Sequence, residues 1–127
     1  MARAFFTEKA PLPVGPYSQA VEAGGTLYLS GQIGIDPATG KLRKGFGGQV
    51  RQIFSNVEEI LRSAGYSKGD IVKVTVYMTN LSRFGEFNSL YAEFFEDVDP
   101  KPARVTVGVR ELPLSAEVEV EIVAVRG

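Results

Sequence analysis

Apolar and polar residues alternate most regularly near the end of the chain, in residues 101–125. The apolar positions are Ala103, Val105, Val107 and Val109 in one run, and Val118, Val120, Ile122 and Ala124 in a second run. A period of two predicts two strands, each with one apolar face and one charged face, joined by a short loop at 111–115. Because Arg104 and Glu119 fall on the charged positions, we expect both on the same face of a sheet.

Two other segments repeat their apolar residues every three or four positions, which predicts helices. The first covers residues 47–64 and has Gly65 placed to cap its end. The second has Ser82 as its expected N-cap and carries Phe84, Phe87, Tyr91, Phe94 and Phe95 on one face. Alternating patterns at 19–23, 26–34 and 71–78 predict further strands, with a hairpin turn at Gly24–Gly25 and another turn at 36–41.

These elements predict one domain, residues 1–127, of the α+β class: a single mixed sheet with both helices on one face. The uncovered face is expected to hold Tyr77, Val123 and Val125 together with Arg104, Glu117, Glu119 and Glu121. That mixture suits a subunit interface with a polar pocket at its rim. A solvated sheet face with a few apolar residues is the alternative.

Composition narrows the possible functions. The formal charge is -1 with scattered Lys and Arg, and no apolar run is long enough to cross a membrane. We therefore expect no nucleic-acid or membrane partner, and a cytoplasmic protein. The sequence contains no cysteine and no histidine, which excludes thiolate and histidine relays as well as zinc sites built on these ligands. Catalysis would use carboxylates, hydroxyls, Lys, Arg, backbone groups and water, with no metal and no cofactor.

Five motifs, in order along almost the whole chain, resemble the RidA (YjgF) family of reactive-intermediate deaminases. They are GPYSQAV (15–21), LYLSGQIGIDPATG (27–40), FNSLYAEFF (87–95), PARVTVGVRELP (102–113) and VEVEIVAV (118–125). The resemblance implies a chorismate-mutase-like fold and a homotrimer with active sites between subunits. It also implies hydrolysis of 2-imino acids, formed from enamines that pyridoxal-phosphate enzymes release, to 2-keto acids and ammonia.

The family's functional residues can be carried over by position. The resemblance assigns catalytic roles to Arg104, as carboxylate anchor, and to Glu119, which would direct water. It assigns substrate contacts to Tyr17 in the loop 14–18, to Ser30 and Gly31, to Asn88 and again to Arg104. Several relatives have cysteine where this chain has Thr106, so a contact there would come from a hydroxyl or the backbone.

The chemistry of these residue types suits that reaction. A guanidinium presents a planar fork of donors to a carboxylate, and a carboxylate can orient or deprotonate water. Taken singly, Arg104 and Glu119 are equally compatible with solvated strand positions. A non-catalytic binder of small 2-keto acids, or a chaperone-like module, is the main alternative function, and an endoribonuclease or translation inhibitor is a weaker one.

Overall fold

A computed structural model describes residues 1–126 of the chain. Its main sheet has six strands in the order β1-β2-β3-β8-β6-β7, with β6 and β7 parallel and all other neighbours antiparallel. The strands are β1 (Arg3–Phe5), β2 (Ala20–Ala23), β3 (Thr26–Gln32), β6 (Ile71–Met78), β7 (Ala103–Gly108) and β8 (Val118–Val125). A separate small hairpin consists of β4 (Ile35–Asp36) and β5 (Lys41–Leu42). The predicted α+β class and single mixed sheet are confirmed.

Both helices lie on one face of this sheet, as the apolar periodicity predicts. Helix α1 (Phe46–Ser63) packs on β3 and β8, and α2 (Phe84–Phe94) packs against α1. The first helix ends as expected at Gly65, which has a φ of 78° and donates its backbone N–H to the carbonyl of Arg62 at 3.1 Å. That left-handed conformation favours a residue without a Cβ.

The predicted start of the second helix is wrong by a short segment. Residues Leu81–Arg83 form a 3₁₀ turn, and α2 begins after it at Phe84. Ser82 lies inside that turn, where its backbone N–H donates to the side chain of Asn80 at 3.0 Å. Asn80 is therefore the capping residue, because its side-chain oxygen accepts a free N–H at the start of the turn.

The core is the layer between the helices and the sheet. Its members with no exposed side-chain surface include Leu27, Val50, Ile53, Val57, Val74, Val76, Phe87, Val118, Val120 and Ile122. We call the other side of the sheet the open face; it carries Tyr28, Lys73, Thr75, Tyr77, Val105, Val107, Glu119, Glu121, Val123 and Val125. The expected mixture of apolar and charged residues on an uncovered face is confirmed for Tyr77, Val123, Val125, Glu119 and Glu121.

The predicted sheet face of Arg104 is wrong. Strands β7 and β8 are not neighbours: each pairs with a different edge of β6, so the loop between them crosses that strand. β7 is an edge strand, and its alternating apolar residues lie on the open face instead of the helix-covered face. Val105 and Val107 are 45% and 37% exposed on the open face, whereas Arg104 is on the helix-covered face.

The structure contains, within residues 1–126, no helix that is long and apolar enough to cross a membrane.

Candidate active site

Glu119 lies at the middle of β8 on the open face, beside an irregularity of the sheet. The pairing of β3 with β8 shifts between Leu29 and Gln32, which brings Gly31 against the Glu119 side chain. A Cβ built on Gly31 would lie 2.9 Å from Cδ of Glu119 and closer still to one of its carboxylate oxygens. A residue larger than glycine at position 31 would therefore displace the Glu119 carboxylate from this position.

The environment of Glu119 raises the pKa of its carboxyl group. Partial burial is the larger cause, since it disfavours the charged form, and the negative charge of nearby Glu121 adds to it. Glu121 itself accepts a hydrogen bond from the hydroxyl of Tyr77 at 3.1 Å. No ion pair in residues 1–126 includes Glu119. A carboxylate with a raised pKa is a stronger base than an ordinary one once it is ionised.

A cavity of about 240 Å³ opens beside this carboxylate. We call it the Glu119 pocket; its lining is Pro11, Leu12, Pro13, Val14, Tyr17, Gln19, Gly31, Gln32, Ile33, Ile35, Pro113, Leu114 and Glu119. Three of the site residues predicted from sequence, Tyr17, Gly31 and Glu119, thus meet at one cavity.

The neighbouring predicted residue, Ser30, has a structural contact. Its hydroxyl donates to the carbonyl of Ser18 at 2.6 Å, which ties the loop before β2 to strand β3. The Tyr17 side chain, 49% exposed, accepts a hydrogen bond from the N–H of Val14 at 3.3 Å and keeps its own hydrogen for another partner. Ser30 therefore holds the loop, and its oxygen is left able to accept but not to donate.

Arg104 occupies a second region, on the other side of the sheet. Its guanidinium carbon lies 4.7 Å from the ring centre of Tyr91, 5.5 Å from that of Phe84 and 5.8 Å from that of Phe87. All three rings belong to α2, where spacings of three and four residues place them on one face. Contact with ring faces fixes the plane of a guanidinium and leaves its edge donors available.

Three buried polar atoms accompany that guanidinium. Among residues 1–126, Oδ1 of Asn88, the hydroxyl of Tyr91 and Oγ1 of Thr106 are each buried and have no hydrogen-bond partner. Asn88 and Tyr91 are one turn apart on α2, and Thr106 shares the Arg104 side of β7. Buried polar atoms without partners are uncommon, and in a native protein each one calls for an explanation. We use the name Arg104 cluster for six residues: Phe84, Phe87, Asn88, Tyr91, Arg104 and Thr106.

Sequence reasoning missed Tyr91, which it assigned to the apolar face of the second helix. Its ring does pack in the core layer, but its hydroxyl is at the Arg104 cluster without a partner. Burial raises the pKa of the Tyr91 phenol, and the positive charge of Arg104 partly offsets that increase. The available signal was its spacing of three residues from Asn88, which puts both on adjoining positions of one helix face.

The two regions lie on opposite faces of the sheet. Arg104 pairs directly with Val74 of β6, which is fully buried under the helices. Glu119 pairs with Tyr77 of the same strand, whose side chain is on the open face. Because neighbouring residues alternate between faces, positions 74 and 77 point to opposite sides. One chain alone does not bring the guanidinium and the carboxylate together.

Together, the fold and these two regions define a small α+β protein with an open sheet face and two separate sets of site residues. Residues 7–126 match the family described as Endoribonuclease L-PSP. A "RutC family protein" of Aquifex aeolicus is 63% identical over 120 residues, which is 94% of this chain and 96% of that one. The 2-iminobutanoate/2-iminopropanoate deaminase of Salmonella typhimurium is 41% identical over 127 residues, covering 99% of each chain.

A solved structure agrees with this fold along the whole chain. RidA from an Antarctic Psychrobacter species superposes with a TM-score of 0.94 at 43% identity, covering 98% of this chain and 99% of that one. The chain therefore belongs to the RidA (YjgF) family, which contains proteins named as imine deaminases.

Proposed function

We propose that this protein hydrolyses 2-imino acids to 2-keto acids and ammonia without a cofactor. Each active site would combine the Arg104 cluster of one subunit with the Glu119 pocket of the next subunit in a homotrimer. The similarity to the Salmonella deaminase supports the reaction class. The observation that carries the shared site is the position of Arg104 and Glu119 on opposite faces of one sheet.

The surfaces of the chain support a ring of subunits. Every site is complete only if the Arg104 cluster of each copy meets the Glu119 pocket of its neighbour. Such a head-to-tail contact closes into a ring when the rotation between neighbouring copies permits. The open face offers exposed Tyr28, Val105 and Val107 as contact surface. Family resemblance supplies the number three. Light scattering should give the mass of a trimer at micromolar concentration, and a monomer would contradict the proposal.

The chemistry then divides between the halves. The free edge of the Arg104 guanidinium binds the substrate carboxylate through two parallel hydrogen bonds, and the nearby hydroxyls and amide supply further partners. Glu119 accepts a proton from a water, whose oxygen attacks the C=N carbon. Protonated Glu119 returns this proton to the nitrogen, and the second proton of the water follows from the hydroxyl group of the adduct. The C–N bond then breaks, ammonia leaves and a C=O bond forms. No oxidation occurs, so the balance needs only substrate and water.

The test compares Glu119 and Glu121 of strand β8 with Glu117, which directly precedes this strand. An imine generated in solution is followed as it becomes keto acid, with and without protein, over the rate of unaided hydrolysis. Glu119→Gln should lower the accelerated rate by roughly 10²–10⁴-fold, the usual contribution of a positioned acid–base group. Its affinity for 2-oxobutanoate should stay the same or increase slightly, because a negative charge near the ligand carboxylate has been removed.

Glu117→Gln and Glu121→Gln are the matched controls, and each should keep most of its turnover at neutral pH. Retained binding with lost turnover distinguishes an enzyme from a binder of keto acids, since only a transition-state interaction has been removed. If all three variants hydrolyse the imine equally well, Glu119 is not the base and the catalytic proposal fails.

A further inference from the structure

Part of the lining of the Glu119 pocket, which we call its apolar wall, consists of aliphatic and proline residues. Leu12 and Val14 form part of it from the loop before β2, and Pro113 and Leu114 form part of it from the loop before β8. Leu12 is 62% exposed, Val14 81% and Leu114 63%. Exposed aliphatic side chains that line one cavity are typical of a surface that a ligand or a partner covers.

Leu114 is held in this position by an unusual backbone. Leu114 has a φ of 56° and the next residue, Ser115, a φ of 58°, so two consecutive residues with side chains adopt the left-handed conformation. This conformation brings the Cβ close to the following carbonyl oxygen, and branched aliphatic residues rarely adopt it. The turn Pro113–Ser115 nevertheless has leucine there, and Leu114 is one of the residues that line the cavity.

The cavity also has room for a group much larger than a water molecule. A volume of 240 Å³ is several times the roughly 30 Å³ that one water occupies in the liquid. Once the C=N carbon lies at Glu119 and the carboxylate points to a neighbouring Arg104, the remaining substituent of a 2-imino acid is its side chain. The apolar wall is the surface that this side chain would meet.

We propose that the Glu119 pocket receives the side chain of the imino acid and that Leu114 is its specificity-determining residue. The preferred substrates are then 2-imino acids with a branched or otherwise bulky apolar side chain rather than 2-iminopropanoate. This inference rests on the proposed function. Its physical basis is the removal of apolar surface from water on both sides of the contact.

The test measures the ratio of kcat/KM for two imines, made in the assay by an amino-acid oxidase from leucine and from alanine. The wild-type protein should favour the leucine-derived imine by about tenfold or more, within the range that small apolar pockets achieve. Leu114→Asn retains approximate size and tolerates the left-handed conformation, but it makes the wall polar. It should lower that ratio by about tenfold, because the loss of kcat/KM is larger for the leucine-derived imine than for the alanine-derived imine.

Leu114→Gly, which is comfortable in the same backbone conformation, should lower the ratio in the same direction. Val72→Thr is the matched control, because Val72 is 46% exposed and lies outside the cavity lining. It should leave the ratio unchanged. Light scattering on each variant shows whether the assembly is retained.

Two outcomes would overturn the inference and leave the proposed function intact: equal hydrolysis of both imines by the wild type, or an equal loss on both imines in Leu114→Asn with a lower molecular mass. The second result would make Leu114 a subunit contact. Acceleration of neither imine by the wild-type protein would instead refute the proposed function, and this inference with it.

Discussion

The Arg104 cluster and the Glu119 pocket differ in how the fold builds them. The first consists of a charge on an edge strand enclosed by aromatic rings of a helix, with buried polar atoms beside it. The second consists of a carboxylate at a sheet irregularity, with a raised pKa and an apolar cavity next to it. The first arrangement suits binding of a fixed anion, and the second suits proton transfer and contact with an apolar group. Neither region by itself both binds an anion and transfers a proton.

The largest effect expected on the binding half comes from Arg104→Ala. This change removes the proposed carboxylate partner, which typically costs about 2–5 kcal/mol, or roughly thirtyfold to several thousandfold in affinity. Calorimetry with pyruvate or 2-oxobutanoate measures it. Arg104→Lys should recover only part of the loss because an ammonium group cannot form the bidentate contact. Unchanged keto-acid affinity in Arg104→Ala would show that the carboxylate binds elsewhere.

On the catalytic half, Gly31→Ala should disturb Glu119 without changing any charge. The new Cβ would overlap the Glu119 carboxylate, and a displacement of about 1 Å can cost up to roughly 10²-fold in rate. Imine hydrolysis should therefore fall by about tenfold to a hundredfold. Gly85→Ala is the control, since a Cβ at that exposed helix position meets nothing within 4 Å. Equal rates for both variants would mean that the position of Glu119 is not critical.

A smaller effect distinguishes binding from stability within the Arg104 cluster. Tyr91→Phe removes a hydroxyl that has no partner within residues 1–126, so the free energy of unfolding should stay the same or rise. If that hydroxyl contacts the ligand, keto-acid affinity should fall by about twofold to tenfold. Tyr66→Phe should lower the free energy of unfolding and leave keto-acid affinity unchanged, because the Tyr66 hydroxyl donates to Glu22 at 2.6 Å. A loss of stability in Tyr91→Phe, with affinity unchanged, would contradict a ligand role.

The smallest predicted effect is a shift in pH dependence. Turnover requires ionised Glu119, so kcat/KM should fall as the pH decreases through the raised pKa of this group. Glu121→Gln removes the lesser of the two causes and should lower that pKa, which moves the acidic limb of the profile to lower pH. The part due to burial should remain. An acidic limb that does not move would indicate that Glu121 has no influence on the base.

Sequence periodicity predicted most of the fold because helices and internal strands bury one face each. It assigned α1, β6 and β8 correctly, apart from the region around Val72, where a register shift leaves that valine exposed. It placed Arg104 wrongly because alternation shows which residues share a face but not which face the helices cover. On an edge strand, Val105 and Val107 are on the uncovered side, and only the pairing with β6 reveals this.

The site was predictable only in part for the same reason. Family resemblance identified the residues, and the structure groups Tyr17 and Gly31 with Glu119 and groups Asn88 and Thr106 with Arg104. The role of Leu114 depends on its backbone conformation, which no spacing of residues indicates. The Tyr91 hydroxyl was not predicted as a site group because the aromatic ring of this residue packs against the core.

The most direct test of a site shared between subunits uses two inactive variants together. Arg104→Ala and Glu119→Gln are co-expressed with different tags, and trimers containing both chains are isolated. If each site takes Arg104 from one subunit and Glu119 from its neighbour, a mixed trimer of either composition has both native residues at about one third of its sites, because only one junction of the ring joins a native Arg104 to a native Glu119. A site shared between subunits should restore imine hydrolysis to about that fraction of the wild-type rate. Mixed trimers as inactive as each variant alone would contradict it.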